Sequence, residues 1–485
     1  MIKLHSIIHH KIINKYEIND LSIEGISCDS RKVKAGYIFA VFKGFNKNGI
    51  NYISQAIKKG AIAILIDKDE YKKIKGLSQV TIIPSSSPRK NYALICNKFT
   101  DYKFNNIVGV TGTNGKTSVA WFVKKLTKLI GINCASIGTL GIDHKSILKI
   151  NSLTTPESEV IVSSLNSLYK QNVKNIILEA SSHGLDQYRL DGIHFNIVVI
   201  TSLSRDHLDY HKTFKKYKRA KLRLFSEVTN KGVAIINECV PEYEDFIKAA
   251  KSNNLKIITI GNSLSATWKF KINNNNKQEV EVYFNKIKTI IFSNLIGKFQ
   301  INNLITAISI LVEMGFERDK IEKLITKLKS PPGRLELIKN VNGANIYIDY
   351  AHTPDALENL LISIRPHIKN RLYLVFGCGG DRDKGKRSLM GRVAYKYADE
   401  VIITDDNPRY ENPSIIRKQI ISFCPNSIEI EGREKAINYA INNLKKGDAL
   451  LVAGKGHEEM QEVNGKFLKF NDSVEIKKII ESLIS

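Results

Sequence analysis

A glycine-rich segment with a central lysine separates an apolar run from a helical pattern. It spans Gly109–Ser118 and has the sequence GVTGTNGKTS. Glycines let backbone N–H groups approach an anion, and the N-terminus of the following helix adds positive potential. Lys116 is then placed to reach the β- and γ-phosphates of a nucleotide, and the Thr117 hydroxyl to ligate Mg²⁺. Although Val110 stands where the common pattern G-x-x-x-x-G-K-[ST] has its first glycine, we predict a nucleotide site rather than a glycine turn with a solvated lysine.

Three further polar residues are candidates because of what surrounds them. Glu179 ends an apolar run, a position where acidic residues of nucleotide-binding sheets meet Mg²⁺. His207 follows a second apolar run, and taken alone it is better explained as a hydrogen-bonded core histidine. Lys221 lies in a basic helical stretch that, taken alone, indicates a solvated helix face.

The composition is that of a globular protein of several domains. At roughly 150 residues per domain, the 485 residues suffice for about three. The formal net charge of +25 suggests a nucleic-acid partner, but a strand-binding groove needs a dense basic cluster with interleaved aromatics. The excess charge is instead spread from Lys3 to Lys478. We therefore interpret it as a diffuse bias that attracts anionic ligands generally, and we expect no nucleic-acid partner.

Cysteine spacing and hydropathy indicate the compartment. The six cysteines lie far apart and form no C-x-x-C pair, which argues against a zinc ribbon or a thioredoxin-type site. Scattered single thiols suit a reducing environment. The first residues lack a long apolar core, and no apolar run reaches the roughly 18 residues that a membrane span needs. These features predict a cytoplasmic protein without membrane insertion.

The elements that position the candidate residues predict an α/β protein of three domains. Residues 1–100 alternate short apolar runs with a helix, which indicates a small N-terminal α/β domain. Residues 101–333 carry continuous apolar strands followed by helices, which predicts a central P-loop ATPase-like doubly wound sheet. Residues 334–485 repeat βα units after the stiff linker Pro331–Gly333, which predicts a C-terminal Rossmann-like domain.

One segment of the central domain departs from this rhythm. Its residues, Ala266–Phe292, alternate between apolar and polar side chains instead of forming a continuous apolar run. Alternation of this kind predicts an antiparallel hairpin, with its turn at Asn273–Asn276.

Five motifs together resemble those of one enzyme family. They are GTNGKTS at Gly112–Ser118, EASSHGL at Glu179–Leu185, SRDHLDYH at Ser204–His211, DYAHTP at Asp349–Pro354 and GCGGDRD at Gly377–Asp383. These motifs resemble the Mur ligases, which build the peptidoglycan stem peptide, and the related folylpolyglutamate synthetases. The resemblance runs from Ser30 to Glu458 and so covers all three predicted domains. It implies an ATP-dependent ligase, in which a carboxylate accepts the γ-phosphoryl group and an amine then attacks the acyl phosphate.

The resemblance also assigns the residues around ATP and the metal. It implies catalytic roles for Lys116, His207 and Lys221, the last as a carbamate formed with CO₂. The implied ligands of two Mg²⁺ ions are Thr117, Glu179, His207 and the Lys221 carbamate. Phe299–Asn303 departs from the family pattern F-N-x-x-N at Gln300, so only Asn303 is carried over. The implied ATP contacts are Gly112, Thr113, Asn114, Gly115, Lys116, Thr117, Ser118, Asn303, Arg334 and His352.

A second implied set binds the UDP-muramoyl-dipeptide. Hydroxyl, amide and guanidinium groups suit a substrate that carries carboxylates. The alternatives are a helix cap at Thr155-Pro156 and a surface arginine at Arg189. The loop Gly44–Lys47, which includes Phe45 and Asn46, is expected to close over the nucleotide. The implied contacts are Ser30, Thr154, Thr155, Ser181, Gln187 and Arg189.

A third set concerns the amino acid that is added. Asp406-Asn407-Pro408-Arg409 follows a predicted parallel strand, where such sheets place ligands, although alone it indicates a loop with an Asx turn. Within the family, D-N-P-R resembles the signature of ligases that add meso-diaminopimelate to the D-Glu carboxylate of UDP-N-acetylmuramoyl-L-alanyl-D-glutamate. Two arginines would bind the carboxylates bidentately and two acids would face the ammonium groups. The implied residues are Arg382, Asp406, Asn407, Pro408, Arg409, Gly454 and Glu458.

Other functions remain open at this point. A lysine- or ornithine-adding ligase is the nearest alternative, whereas a D-alanyl-D-alanine-adding ligase or a folylpolyglutamate synthetase leaves D-N-P-R unexplained. A nucleic-acid-stimulated ATPase would show turnover that rises with DNA or RNA and falls steeply with salt. A nucleotide-regulated binding protein would bind ATP without turnover. We expect small-molecule partners and a monomer.

Overall fold

The fold is taken from a computed structural model that describes residues 1–8, 10–43, 48–74, 76, 79–144, 153–229, 231–274 and 279–484. As predicted, the chain is an α/β protein with mainly parallel sheets. Within the described residues, no helix combines the length and the apolar character needed to cross a membrane.

The N-terminal part has a short antiparallel pair and a four-stranded parallel sheet in the order β3-β4-β5-β6. Its strands are β1 Ile2–Lys3, β2 Ser22–Ile23, β3 Gly25–Ser27, β4 Tyr37–Ala40, β5 Ala61–Asp67 and β6 Thr81–Ser85. Its helices are α1 His10–Tyr16, α2 Ile53–Lys58 and α3 Pro88–Lys98.

The central part is one sheet of ten strands, as far as the structure describes it. The strands are β7 Asn106–Thr111, β8 Cys134–Gly138, β9 Gly141–Asp143, β10 Asn175–Glu179, β11 Ile197–Ile200, β12 Gly232–Asn237, β13 Leu255–Ile260, β14 Trp268–Asn274, β15 Glu279–Phe284 and β16 Ile287–Phe292. The helices are α4 Lys116–Leu129, α5 Ser158–Lys170, α6 Ser182–Asp186, α7 Leu208–His211, α8 Phe214–Arg223, α9 Tyr243–Ser252, α10 Lys298–Glu313 and α11 Arg318–Glu322.

Strand β7 lies in the middle of this sheet, with β10 on one side and β11 on the other. Its side chains alternate between two cores, with Val108 and Val110 in one and Ile107 in the other. A sheet covered on both faces requires such apolar strands, which is why the sequence showed them clearly. The order of connections reverses beside β7, and ligands of open α/β sheets bind at that point.

The alternating segment near residue 270 differs from the prediction in extent. Strands β14 and β15 are antiparallel as predicted, but β16 adds a third antiparallel strand. The group does not stand apart, because β14 pairs with β13 at Ile260 and Trp268 and so extends the central sheet. Half of the predicted turn, Asn275 and Asn276, lies outside the described residues.

The C-terminal part is a six-stranded sheet in the order β17-β18-β22-β19-β20-β21, with a separate hairpin of β23 and β24. The strands are β17 Glu336–Val341, β18 Ala344–Asp349, β19 Leu372–Phe376, β20 Glu400–Ile403, β21 Ile428–Glu429, β22 Ala449–Ala453, β23 Met460–Val463 and β24 Lys466–Lys469. The helices are α12 Pro354–Ile364, α13 Gly385–Tyr397, α14 Pro413–Ile421, α15 Arg433–Asn443 and α16 Asp472–Ile484. Strands β18, β19, β20 and β22 are parallel neighbours, so the loops after them share one edge.

Candidate active site

The glycine-rich loop joins β7 to α4 as predicted. Val110 lies inside β7, so the loop begins only after Thr111. Gly112 and Gly115 have φ angles of 150° and 88°, which favour glycine. A Cβ on Gly112 would lie 2.0 Å from Thr201 Oγ1, and one on Gly115 would lie 2.5 Å from Asn303 Oδ1. The loop is therefore confined between the end of β11 and helix α10, and it leads into the N-terminus of α4, where helices bind anions.

The side-chain nitrogens of two lysines meet at one carbonyl oxygen of this loop. Lys116 Nζ donates to the carbonyl oxygens of Gly112 at 2.8 Å and Thr113 at 2.9 Å. Lys221 Nζ donates to the same Gly112 oxygen at 2.8 Å. Lys221 is only 1% exposed, so the alternative of a solvated helix face is wrong for this residue. Burial, and then the charge of Lys116, hold the pKa of Lys221 well below its usual range, which favours the neutral amine.

Glu179 lies at the end of β10, beside the loop. The Thr117 hydroxyl donates to Glu179 Oε2 at 2.9 Å. Thr139, just after β8, donates its N–H to Oε1 and its hydroxyl to Oε2, both at 3.0 Å. A Cβ on Gly138 would lie 2.2 Å from Oε1, so a glycine is needed there. Sequence reasoning missed Thr139, and its only signal is a G-T-L-G turn after an apolar strand.

His207 immediately precedes helix α7, at its N-cap position. Its φ of 53° is left-handed, and its Nε2 is 3.3 Å from Asp206 Oδ2. His352, from the C-terminal part, brings its Nε2 to 3.9 Å from the same oxygen. The His207 side chain keeps 39% of its surface exposed in the cleft, yet desolvation there lowers its pKa to about 3. The ring is therefore neutral at pH 7, the form in which histidine binds a metal.

The predicted muropeptide contacts lie next to Glu179, with one exception. Arg189 donates from Nη1 to the Thr155 carbonyl and from Nη2 to Gln187 Oε1, both at 2.7 Å. Arg189 is only 7% exposed, so it is not a surface arginine. Thr155 is not the cap of α5, because Glu157 holds that position. The remaining hydroxyl contacts in this group are Thr154 Oγ1 to Thr139 Oγ1 at 3.1 Å, Thr155 Oγ1 to the Glu179 carbonyl at 2.7 Å and Ser181 Oγ to the Gly184 N–H at 3.1 Å.

The exception is Ser30, which lies in the N-terminal part. Its hydroxyl is buried and donates to Gln55 Oε1 at 2.7 Å. The loop Gly44–Lys47, and with it Phe45 and Asn46, lies outside the described residues.

The predicted ATP contacts beyond the loop are Asn303 on α10, Arg334 in the linker before β17 and His352 after β18. Asn303, on α10, faces Gly115, and Asn114 Nδ2 lies 3.4 Å from Asp355 Oδ2 at the start of α12. Arg334 stacks on Tyr350, with its guanidinium carbon 4.3 Å from the ring centroid. Gln300, where the family pattern has asparagine, donates to the Arg334 carbonyl at 3.2 Å, so it ties α10 to the linker.

The D-N-P-R loop follows β20 as predicted, and an amide joins it to Glu458. Asn407 donates from Nδ2 to Glu458 Oε2 at 2.9 Å. A Cβ on Gly454 would lie 2.7 Å from Asp406 Oδ2, and one on Gly380 would lie 2.0 Å from the Pro408 carbonyl oxygen. Loops after β19, β20 and β22 are therefore in close contact at one edge of the sheet.

The two predicted arginines of this group differ in their surroundings. Arg409 donates from Nη1 to the Gly380 carbonyl at 2.8 Å, and its Nε lies 3.0 Å from Glu462 Oε2. Arg382 is exposed, and its Nη1 lies 3.4 Å from the Asp381 carbonyl oxygen. Arg409 is thus fixed by the protein, whereas Arg382 extends into solvent.

Lys455 is a buried cation beneath the D-N-P-R loop that sequence reasoning missed. Its Nζ lies 2.8 Å from Glu458 Oε2, 3.2 Å from Asn407 Oδ1 and 2.8 Å from the Met460 carbonyl oxygen. These contacts fix the two side chains that are predicted to bind the amino acid. The sequence signal for Lys455 was its place in the motif A-G-K-G-H-E, between Gly454 and Glu458, which were both predicted to bind the amino acid.

Contacts between the central and C-terminal parts close the cleft. Arg205 forms a two-pronged ion pair with Asp383, at 3.1 Å from Nε and 3.3 Å from Nη2. The His352 ring of the C-terminal part also approaches Asp206 of the central part. The motifs around residues 206 and 380, far apart in sequence, therefore meet at one site.

Family comparisons cover all three parts of the chain. The Mur ligase middle domain matches residues 110–311, the Mur ligase glutamate ligase domain matches 333–456, and the Mur ligase family catalytic domain matches 22–99. A curated UDP-N-acetylmuramoyl-L-alanyl-D-glutamate–2,6-diaminopimelate ligase from Mesorhizobium japonicum is 42% identical over 94% of this chain and 95% of its own. The chain belongs to the Mur ligase family. The ligase of the same name from Rickettsia typhi is 40% identical over 97% of this chain and 96% of its own.

Solved structures agree with the fold of this Mur ligase. A structure of a ligase of the same name is 32% identical, covers 96% of both chains and has a TM-score of 0.66. MurF from Thermotoga maritima, in complex with ADP, is 16% identical over 94% of this chain and 97% of its own, with a TM-score of 0.60. The second likeness supports the three-part architecture only.

Membership in the family explains why the five motifs meet in one cleft of this Mur ligase. Among the described residues, no group of three or more His, Cys, Asp or Glu side chains could hold a metal ion. A metal held here would need other oxygen donors besides Glu179, and the adjacent Thr117 hydroxyl is one.

Proposed function

We propose that this Mur ligase uses ATP to join meso-diaminopimelate to the D-glutamate carboxylate of UDP-N-acetylmuramoyl-L-alanyl-D-glutamate, a step of peptidoglycan precursor synthesis. The choice of diaminopimelate rests on the D-N-P-R loop. There the Arg409 guanidinium donates to the Asn407 carbonyl, and the Asn407 side-chain amide donates to the Glu458 carboxylate. Diaminopimelate has both a carboxylate and an ammonium group at its far end, so it can use both charges. Relatives that are 37–42% identical and carry this activity in their names support the assignment.

The chain's own groups fit the proposed chemistry. The backbone N–H groups before α4 and the Lys116 ammonium would bind the ATP phosphates, with Asn303, Arg334 and His352 around the rest of the nucleotide. Hydrogen bonds through Thr139 and Thr155 link Glu179 to the residues that would direct the muropeptide carboxylate toward the γ-phosphoryl group, which are Thr154, Thr155, Ser181, Gln187 and Arg189. The D-N-P-R loop would hold the amine that attacks the acyl phosphate. Ser30 would contact the uridine side.

The residues present fit Mg²⁺ at the phosphate loop. Thr117 and Glu179 supply hydroxyl and carboxylate oxygens 2.9 Å apart, and oxygens of this kind are what Mg²⁺ prefers. The neutral His207 imidazole and a carbamate on Lys221 would hold a second ion. The buried Lys221 amine fits carbamate formation, because only a neutral amine reacts with CO₂. Bound Mg²⁺ would neutralise charge that develops on the transferring phosphoryl group.

The compartment, the oligomeric state and the limits of the functional units stay predictions. We propose that the enzyme is a cytoplasmic monomer, with functional units at residues 1–100, 101–333 and 334–485. Its positive charge suits anionic substrates, since the UDP-muropeptide, diaminopimelate and ATP all carry carboxylates or phosphates.

One assay separates this proposal from its alternatives. Purified protein would receive ATP, Mg²⁺ and UDP-muramoyl-dipeptide, then diaminopimelate, lysine or ornithine in turn, while ADP release and the ligated product are followed. We expect product mainly with diaminopimelate. Product mainly with lysine or ornithine would identify the related ligase instead. ADP release that needs no amino acid and rises with added DNA would favour a nucleic-acid-stimulated ATPase, and ATP binding without turnover would favour a binding protein.

A further inference from the structure

We propose that Glu462 is a positioning residue, which fixes the Arg409 guanidinium and thereby sharpens the choice of diaminopimelate over lysine. The inference rests on the proposed function and adds a residue outside the D-N-P-R loop. Glu462 belongs to β23, and its Oε2 lies 3.0 Å from Arg409 Nε. The side chains of Arg409 and Glu462 are 18% and 23% exposed, so water competes with their contact only in part.

The backbone of the hairpin holds Arg409 from the same side. The Arg409 N–H donates to the Glu462 carbonyl at 3.0 Å, and the Asn464 N–H donates to the Arg409 carbonyl at 2.7 Å. The Glu462 N–H donates to Asn407 Oδ1 at 2.9 Å. Arg409 has a φ of 52°, a left-handed conformation that needs such support in a residue with a side chain. Glu462 therefore fixes both the main chain and the side chain of the loop.

These contacts leave one part of the guanidinium for a ligand. Nε is paired with Glu462, and Nη1 lies 2.8 Å from the Gly380 carbonyl oxygen and 3.5 Å from that of Asn407. Within the described residues, Nη2 makes no hydrogen bond or ion pair. A substrate carboxylate would thus be met by Nη2, in a direction that Glu462 sets.

The energetic consequence is preorganisation. An arginine held in place before binding loses less side-chain entropy when it meets a carboxylate. Without Glu462, Arg409 would be free to rotate, and diaminopimelate would have to order it. Ordering one long side chain corresponds to roughly a three- to ten-fold change in binding. Lysine lacks the second carboxylate, so its use would change little.

The test compares Glu462→Gln and Glu462→Ala with the wild type. We expect KM for diaminopimelate to rise roughly three- to ten-fold in Glu462→Ala and less in Glu462→Gln, since glutamine keeps an acceptor for Nε. Values of kcat, KM for ATP, KM for the UDP substrate and the use of lysine should stay the same. The matched control is Glu400→Gln, which breaks an Arg–Glu pair at the opposite end of β20 and should leave all of these values unchanged.

A double-mutant cycle with Arg409→Ala shows whether Glu462 acts through Arg409. We expect the Glu462→Ala effect on diaminopimelate to disappear in the Arg409→Ala background. The inference would be overturned if the effect persisted in that background, or if KM rose equally for all three substrates. It would also be overturned if KM for diaminopimelate stayed unchanged, or if that KM fell because Glu462 competes with the substrate carboxylate. A wild type that ligates no diaminopimelate would instead contradict the proposed function, so the two failures are distinguishable.

Discussion

At the scale of residues, the buried Lys221 allows a direct test of the proposed Mg²⁺-binding carbamate. If its neutral amine forms a carbamate, Lys221→Ala should lower the rate of ADP release on the order of 10²–10³-fold, as expected for a lost preorganised charge contact. Added acetate or formate should restore part of the rate by occupying the emptied position. Lys216→Ala, an exposed lysine on the same helix, serves as the control and should be normal. Full activity of Lys221→Ala without additive would show that no carbamate is needed.

The sequence predicted where several candidate residues lie in the fold, but not which groups they contact. Lys116 and Arg409 follow strands and Glu179 ends one, as the sequence predicted, because a residue at the end of a buried strand has little freedom. Lys455 and Glu462 went unnoticed since their importance depends on partners elsewhere in the fold. The expected bidentate use of Arg409 is also modified, because Glu462 and Gly380 already engage two of its nitrogens.

At the scale of elements, the turn between β8 and β9 supports Glu179. Gly138→Ala would place a Cβ 2.2 Å from Glu179 Oε1, so the carboxylate must move away from Thr117. We expect the Mg²⁺ concentration for half-maximal rate to rise about 10- to 100-fold, the usual range for altered support of a metal ligand. A Mg²⁺ titration of ADP release measures it, with Gly76→Ala as control, since no described residue lies within 4 Å of a Cβ there. An unchanged titration would argue that Glu179 is not a metal ligand.

Elements were predictable in proportion to their burial. Parallel strands such as β7, β10 and β19 are continuous apolar runs, and runs of this kind predicted the central sheet and the C-terminal βα units. The hairpin of β23 and β24 was missed because its strands are short and largely exposed, which leaves no apolar pattern. Strand β17 was missed for the same reason, since it is an edge strand with mixed burial.

At the scale of the whole molecule, the Arg205–Asp383 pair is expected to favour closure of the cleft. Arg205→Ala should lower kcat by a few-fold at low salt, because partly exposed pairs contribute about 0.2–1 kcal/mol. Salt screens such pairs, so the ratio of wild-type to mutant rate should approach one as ionic strength rises. Steady-state rates across a salt series provide the measurement. A ratio that does not depend on salt would mean that Arg205 acts on the substrates rather than on closure.

The choice of amino acid is the central claim, and the most direct test is kcat/KM for diaminopimelate and for lysine in the wild type and Arg409→Ala. A charge-assisted hydrogen bond of roughly 1.5–3 kcal/mol corresponds to a ten- to hundred-fold preference at about 1.4 kcal/mol per decade. Lysine also leaves the Arg409 Nη2 group without a carboxylate partner, which widens the gap. We predict that Arg409→Ala loses most of its kcat/KM for diaminopimelate and little of the weak value for lysine. Equal proportional losses for the two amino acids would contradict the account, because Arg409 would then support the fold or the shared end of the substrate.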